Sequence, residues 1–239
     1  MNFKGIGFFG AILTAAFASE IAWAAPDGEQ AIPDRHPDIR TAPPAGYCAL
    51  DSETLEGGAV VTGYQPGLAS GMSLVALYAS CWEAELVRGQ VPLRIDAWMA
   101  VEMNVVSYPS DDERTLGKAG AVELLCRDAR DASLGHPVPA AGAAFDDLVA
   151  AARSELGPRR PTVYLGVVAE DRELEVCYLA VVRLADGDDE YMRAHLTVTG
   201  FSTAGDRWVA LSVRRPADDD PASTLALARD IVRAFKMQN

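Results

Sequence analysis

Histidine is the side chain that most often moves a proton at neutral pH, and this chain has three of them. His36 lies in a proline-rich stretch and His136 in a Gly-His-Pro loop, so regular structure holds neither of them beside a nucleophile. His195 alternates with Leu196 and Val198 on a predicted strand, which places it on the opposite face from those two side chains. An ordinary position on a sheet explains such a histidine, and no Gly-x-Ser-x-Gly motif occurs. We therefore predict no catalytic residue.

Acidic clusters are the next candidates, since alternating carboxylates can bind calcium. The run Asp186–Glu190 alternates in this way, but Tyr191 and Thr197 occupy the sixth and twelfth positions, where an EF-hand needs glycine and a carboxylate. We interpret the run as a solvated hairpin turn and Asp218–Asp220 as the start of a helix. Cysteine and histidine do not cluster at zinc spacings, and no glycine-rich stretch matches a phosphate loop. The sequence thus predicts neither a metal site nor a cofactor.

Four cysteines allow two disulfides in an oxidising compartment. Cys48 and Cys81 occupy corresponding places in two apolar segments that could be neighbouring strands. This favours a Cys48–Cys81 bridge, with Cys126–Cys177 as the remaining pair. The alternative is four buried thiols that pack as small apolar side chains.

Negative charge dominates the chain, with a formal net charge of −13. Binding to nucleic acid or to anionic lipid needs a concentrated basic patch, and the basic residues here are dispersed. We therefore exclude nucleic acid and expect a partner protein or a small ligand of unknown identity.

Residues 1–24 have the layout of a removable secretory signal. Lys4 precedes an apolar run from Gly5 to Ser19, and Ala22-Trp23-Ala24 supplies small residues two apart, so we predict cleavage after Ala24. The run is too short to cross a bilayer comfortably, which predicts a periplasmic or secreted protein with no membrane insertion after cleavage. The alternative is a signal that stays uncleaved as an anchor.

The rest of the chain divides into a linker and one domain. Residues 25–45 are rich in proline and charge with hardly any large apolar residue, which predicts a disordered linker. Residues 46–239 are long enough for a single domain with a real core.

Hydrophobic periodicity predicts an α+β domain, an antiparallel β-sheet flanked by helices and ending in a C-terminal helix. The expected strands are Tyr47–Leu50, Met72–Cys81, Leu93–Val106, Thr162–Ala169, Glu173–Leu184, Tyr191–Phe201 and Arg207–Arg214. The expected helices are Ser52–Ser70, which glycines weaken, Trp82–Arg88, Asp111–Arg130, Ala140–Leu156 and a last one that begins at Asp220-Pro221. The last four strands form two consecutive hairpins and predict a meander.

Aromatic side chains could line an apolar ligand pocket, but core and edge positions are the better explanation of them. They are Trp82, Trp98, Trp208, Tyr47, Tyr64, Tyr78, Tyr164, Tyr178 and Tyr191.

The order of elements, chiefly Ala194–Val213 followed by Pro221–Phe235, resembles that of the PsbP-like family of small exported α/β proteins. In that family a curved antiparallel sheet is flanked by helices and the chain ends in a helix after a strand hairpin. The resemblance covers residues 46–237 and rests on layout, so it carries over no functional position. It implies an accessory or binding protein without conventional catalytic residues.

These observations favour a non-enzymatic exported protein of the cell envelope that binds a partner protein or a small ligand. One alternative is an envelope hydrolase that uses carboxylates such as Asp96 or Glu102. Another is a scaffold anchored by an uncleaved N-terminal signal.

Overall fold

A computed structural model of the chain describes residues 39–50, 72–88, 95, 97–104, 111–133, 144–184, 193–205 and 207–239. The described strands form one seven-stranded antiparallel sheet in the order β1-β2-β3-β7-β6-β5-β4. The strands are β1 Tyr47–Ala49, β2 Met72–Ser80, β3 Trp98–Asn104, β4 Thr162–Asp171, β5 Val176–Leu184, β6 Ala194–Ala204 and β7 Arg207–Pro216. The helices are α1 Cys81–Arg88, α2 Asp111–Ser133, α3 Phe145–Glu155 and α4 Pro221–Gln238.

Helices cover both faces of the sheet. On one face, here called the α4 face, α3 and α4 pack on apolar side chains such as Tyr178, Val198 and Leu211. On the other, the α2 face, α2 packs on the β4–β7 half and α1 on the β1–β3 half. The predicted α+β class is therefore confirmed, in the form of a three-layered domain.

The C-terminal half follows the predicted meander closely. The hairpins β4–β5 and β6–β7 form, and β5 also pairs with β6. Strand β5 begins at Val176 instead of Glu173, because the Asp171 carboxylate accepts hydrogen bonds from the backbone N–H groups of Glu173 and Leu174 at 3.1 and 3.0 Å. These bonds hold the connection as a turn.

The N-terminal half has the predicted order of elements, but β3 begins at Trp98 instead of Leu93, with Ile95 and Ala97 outside any strand. The strands β1, β2 and β3 form, and α1 follows β2 directly. Helix α2 is interrupted at Gly117, which has a φ of 69° and a ψ of 177°. Residues with a side chain rarely adopt this conformation, whereas glycine does so readily. The expected helix Ser52–Ser70 lies outside the described residues, and α3 is shorter than expected.

Both outer strands of the sheet are poor templates for further pairing. β1 has only three residues, and the register of β4 against β5 shifts twice, between Tyr164 and Gly166 and between Val167 and Ala169. Shifts of this kind are bulges, which bend a strand and interrupt its ladder.

Two disulfides are present, in the predicted pairing. Cys48–Cys81 joins β1 to the start of α1 with a Cα–Cα distance of 4.7 Å. Cys126–Cys177 joins α2 to β5 at 5.7 Å. Among the residues that the structure describes, no helix is both long enough and apolar enough to span a membrane.

Candidate functional site

A cavity of about 320 Å³ lies on the α4 face of the sheet. Met99 of β3 and Leu211 of β7 form its floor, and Ile231 and Phe235 of α4 form one wall. Residues 41–44 cross opposite that wall and close the cavity from the other side. The cavity therefore sits between the sheet, the C-terminal half of α4 and a segment that precedes β1.

The floor is apolar because strand alternation directs Met99 and Leu211 to the same face on neighbouring strands. Each of these side chains is only 1% exposed, so the base of the cavity is well shielded from water.

The α4 wall follows from the helix sequence. Leu225, Ala228, Ile231 and Phe235 recur every three or four residues and face the sheet. The helix begins after Asp220, whose carboxylate accepts a hydrogen bond from the Ser223 backbone N–H.

The segment opposite α4, residues 39–46, is here called the strap. Its first contact is with Asn239, whose side-chain Oδ1 accepts from the Arg40 N–H and whose Nδ2 donates to the Arg40 carbonyl, both at 2.9 Å. Ile39 packs on the core beside it. The strap includes the last part of the predicted linker 25–45, so that part of the segment is packed on the domain; the remainder lies outside the described residues.

The other end of the strap is joined to the sheet. The Gly46 carbonyl accepts from the Cys81 N–H at 2.9 Å, and the Tyr47 N–H donates to the Pro44 carbonyl at 3.1 Å. In the middle, the Tyr78 hydroxyl donates to Thr41 Oγ1 at 2.8 Å. Burial raises the pKa of Tyr78, which favours the protonated phenol that this bond requires.

Polar groups at the cavity are few and lie at its edge. Thr41, Asp230 and Gln238 contribute them, and Asp230 also lies 3.5 Å from Arg233. Asp230 is the one ionisable residue among the described residues that line the cavity. The lining can therefore hold an apolar body and accept hydrogen bonds at the rim, and it offers no pair of groups arranged for proton transfer.

His195 lies on the α2 face, as the strand pattern predicts, and is 2% exposed. Its Nδ1 is 2.9 Å from Arg214 Nη2. Because a guanidinium only donates, Nδ1 must accept, and the neutral ring then carries its proton on Nε2. The Arg214 guanidinium also lies 5.9 Å from the centre of the Trp98 ring, within cation–π range.

Ser212 lies on the same face of the sheet and does not form a catalytic pair with His195. Ser212 is buried and shares a 2.9 Å hydrogen bond with Thr199 on the adjacent strand. Its hydroxyl is thus engaged with another hydroxyl instead of an imidazole, which is a structural arrangement between two strands.

Cys126, Glu170 and Cys177 come within metal-binding distance of one another, but their chemistry argues against a metal. Both sulfurs are joined in a disulfide, and Glu170 forms an ion pair with Arg130. A metal needs free thiolates, which this bridge does not supply.

Several sequence candidates fall outside what the structure describes. His36, His136, Asp96 and the run Asp186–Glu190 are among them. The backbone of Glu102 is described and pairs with Leu74 and Ala210 inside the sheet, whereas its side chain is not.

The aromatic side chains occupy core positions more than ligand positions. Trp98, Trp208, Tyr78 and Tyr178 are buried, and Trp82 is 67% exposed on α1. The lining of the cavity contains no tryptophan or tyrosine among the residues described.

Sequence reasoning missed the cavity itself and the strap that closes it. The periodicity of α4 already marks Ile231 and Phe235 as inward-facing. Their apolar character does not reveal whether a neighbour fills the space beside them, which depends on the path of the strap. A signal for the strap is Ile39, an isolated large apolar residue in the proline-rich segment.

Comparisons of the chain with protein-family models, curated proteins and solved structures found no match. Its function must therefore be inferred from its own residues.

Proposed function

We propose that this chain is an exported, non-enzymatic protein of the cell envelope that binds a small, mainly apolar ligand in the cavity under the strap. The observation that carries the proposal is the apolar floor of Met99 and Leu211, closed from two sides by α4 and residues 41–44. A concave apolar site with a few polar groups at its edge is the usual form of a small-molecule site, and about 320 Å³ lies near the lower end of the usual volumes.

Charge narrows the class of ligand. Asp230 is the one ionisable group of the described lining, and the chain carries a net charge of −13. An anionic ligand would meet like charge at the rim, so the site suits a neutral or cationic molecule.

The surface of the described residues favours a small ligand over a docked protein. The large apolar side chains exposed there are only three, Trp82, Leu116 and Met237, and each lies on a different helix. The bulged β4 and short β1 also discourage strand addition.

Export is supported by the signal-like residues 1–24 and by the two disulfides, because disulfides persist in oxidising compartments. The layout that resembles the PsbP-like family agrees with a binding role for an exported protein.

The experiment is a titration of the exported protein, recovered after processing with its disulfides intact, with N-phenyl-1-naphthylamine, a neutral fluorophore that brightens in apolar sites. Ala226 and Ala234 are both exposed on α4, but only Ala234 lines the cavity, so Ala234→Phe places a ring at the cavity mouth and Ala226→Phe places the same ring away from it. We expect the first change to weaken binding at least tenfold and the second to leave it unchanged. Equal binding by both variants would place the fluorophore elsewhere and refute the cavity as the site.

A further inference from the structure

The two ends of the strap are held by contacts of very different strength. At its C-terminal end, Gly46 leads directly into β1, and the Cys48–Cys81 disulfide fixes that strand covalently. At its N-terminal end, Arg40 is held by the Asn239 amide through two hydrogen bonds exposed to solvent. Solvent-exposed hydrogen bonds open far more readily than a disulfide breaks.

We propose that the strap is a hinged lid, released at Arg40 and turning about Gly46, and that its opening admits the ligand. This inference rests on the proposed function, since it assigns the regulation of entry to the same cavity. Residues 41–44 line that cavity, so moving them uncovers the floor of Met99 and Leu211.

The hinge position has the conformational freedom that the motion needs. Gly46 has a φ of +85°, and nothing lies within 4 Å of where a Cβ would stand. Glycine crosses between positive and negative φ at little cost, so the backbone rotates more freely here than at a residue with a side chain.

The middle of the strap is stiff enough to move as one piece. Pro43 and Pro44 have fixed φ values and no N–H group to donate. The other contacts to be broken are the bond from the Tyr78 hydroxyl to Thr41, the bond from the Tyr47 N–H to the Pro44 carbonyl, and the packing of Ile39 on the core. Release at Arg40 and release at Thr41 are therefore expected to occur together.

Hydrogen exchange on the ligand-free protein tests the coupled motion. Tyr78→Phe removes the bond to Thr41 without touching the Asn239 amide, and a rigid lid predicts that the Arg40 N–H then exchanges about fivefold faster. The Cys81 N–H, which donates to the Gly46 carbonyl on the fixed side of the hinge, should keep its rate. An unchanged rate at Arg40 would show that the two contacts open independently, and the lid would be refuted.

Ligand kinetics test the role in entry. Asn239→Ala removes both bonds to Arg40, and Met237→Ala alters an exposed side chain two residues away as the matched control. We expect the association rate of N-phenyl-1-naphthylamine to rise about tenfold in the first variant only, because two bonds are lost. Association at the wild-type rate in Asn239→Ala would refute gated entry while leaving the proposed function intact. Absence of binding by the wild-type protein would refute the proposed function, whereas the exchange result would still decide whether the strap moves.

Discussion

Val232 of α4 lies directly over Gly200 of β6. A Cβ built at Gly200 would stand 2.7 Å from Val232 Cγ2 and 3.1 Å from Tyr178 Cε1. The helix can therefore approach the sheet this closely only because position 200 has no side chain. That approach sets the height of the α4 wall above the cavity floor.

Replacing this glycine should loosen the α4 face. The methyl group of Gly200→Ala forces the side chains of Val232 and Tyr178 to move away from position 200. We expect this to lower the free energy of unfolding by about 1–3 kcal/mol, the usual cost of overpacking. Urea denaturation measures the change. Gly157→Ala is the matched control, since a Cβ there meets nothing within 4 Å. Equal stability of the two variants would contradict the close approach of α4.

High pH should destabilise the fold through Tyr178. Burial, with a smaller contribution from Asp171, raises the pKa of Tyr178 from 10.0 to about 12, and its hydroxyl has no hydrogen-bond partner among the described residues. The folded state thus favours the neutral phenol. Its contribution to stability is intact below pH 10 and is lost as the pH rises through 12, an effect of about 2–3 kcal/mol.

The measurement is urea denaturation between pH 8 and pH 12 for wild type and Tyr178→Phe. The variant should match or exceed wild type at neutral pH, because it removes an unpaired buried hydroxyl, and should lose less stability above pH 10. Some loss should remain, since burial raises the pKa values of Tyr47 and Tyr78 as well. Identical pH profiles for both proteins would rule out Tyr178 as the source.

The two disulfides should differ in their resistance to reduction. Cys126 and Cys177 are 3% and 0% exposed, whereas Cys48 and Cys81 are partly exposed. A thiolate must reach a sulfur to attack it, so a mild reductant should open Cys48–Cys81 first in the native protein. Alkylation followed by peptide mass spectrometry gives the order. Earlier reduction of Cys126–Cys177 would mean that α2 separates from the sheet more easily than its packing indicates.

The cap of α4 should contribute measurably to stability. Asp220→Ala removes the acceptor for the Ser223 N–H, and we expect a loss of about 1 kcal/mol in thermal or urea unfolding. Asp218→Ala removes a nearby exposed carboxylate and serves as the charge-matched control. If both variants lose the same stability, the effect belongs to charge near the helix start and not to the cap.

The sequence predicts the meander and the C-terminal helix well because residues close together along the chain determine both. Strands β4 to β7 pair with chain neighbours, and the spacing of Leu225, Ala228 and Ile231 identifies the inward face of α4. The pairing of β3 with β7 joins segments far apart along the chain, and no local pattern specifies it.

The cavity was beyond sequence reasoning for a different reason. The residues of its floor and wall have the same apolar sequence pattern as ordinary core residues. Whether a cavity forms beside them depends on how completely the neighbouring side chains fill the space. The strap was expected to be disordered because it contains few apolar residues, yet Ile39 and the two bonds from Asn239 hold it against the domain.

The two register shifts in β4 bear on whether two copies of this protein can pair through the edges of their sheets. An incoming strand would meet the N–H and C=O groups of β4 out of phase after each bulge, around Gly166 and again before Ala169. The β4 edge therefore cannot form an uninterrupted series of backbone hydrogen bonds with a strand of a second sheet. Copies of the folded domain are therefore not expected to join edge to edge through β4.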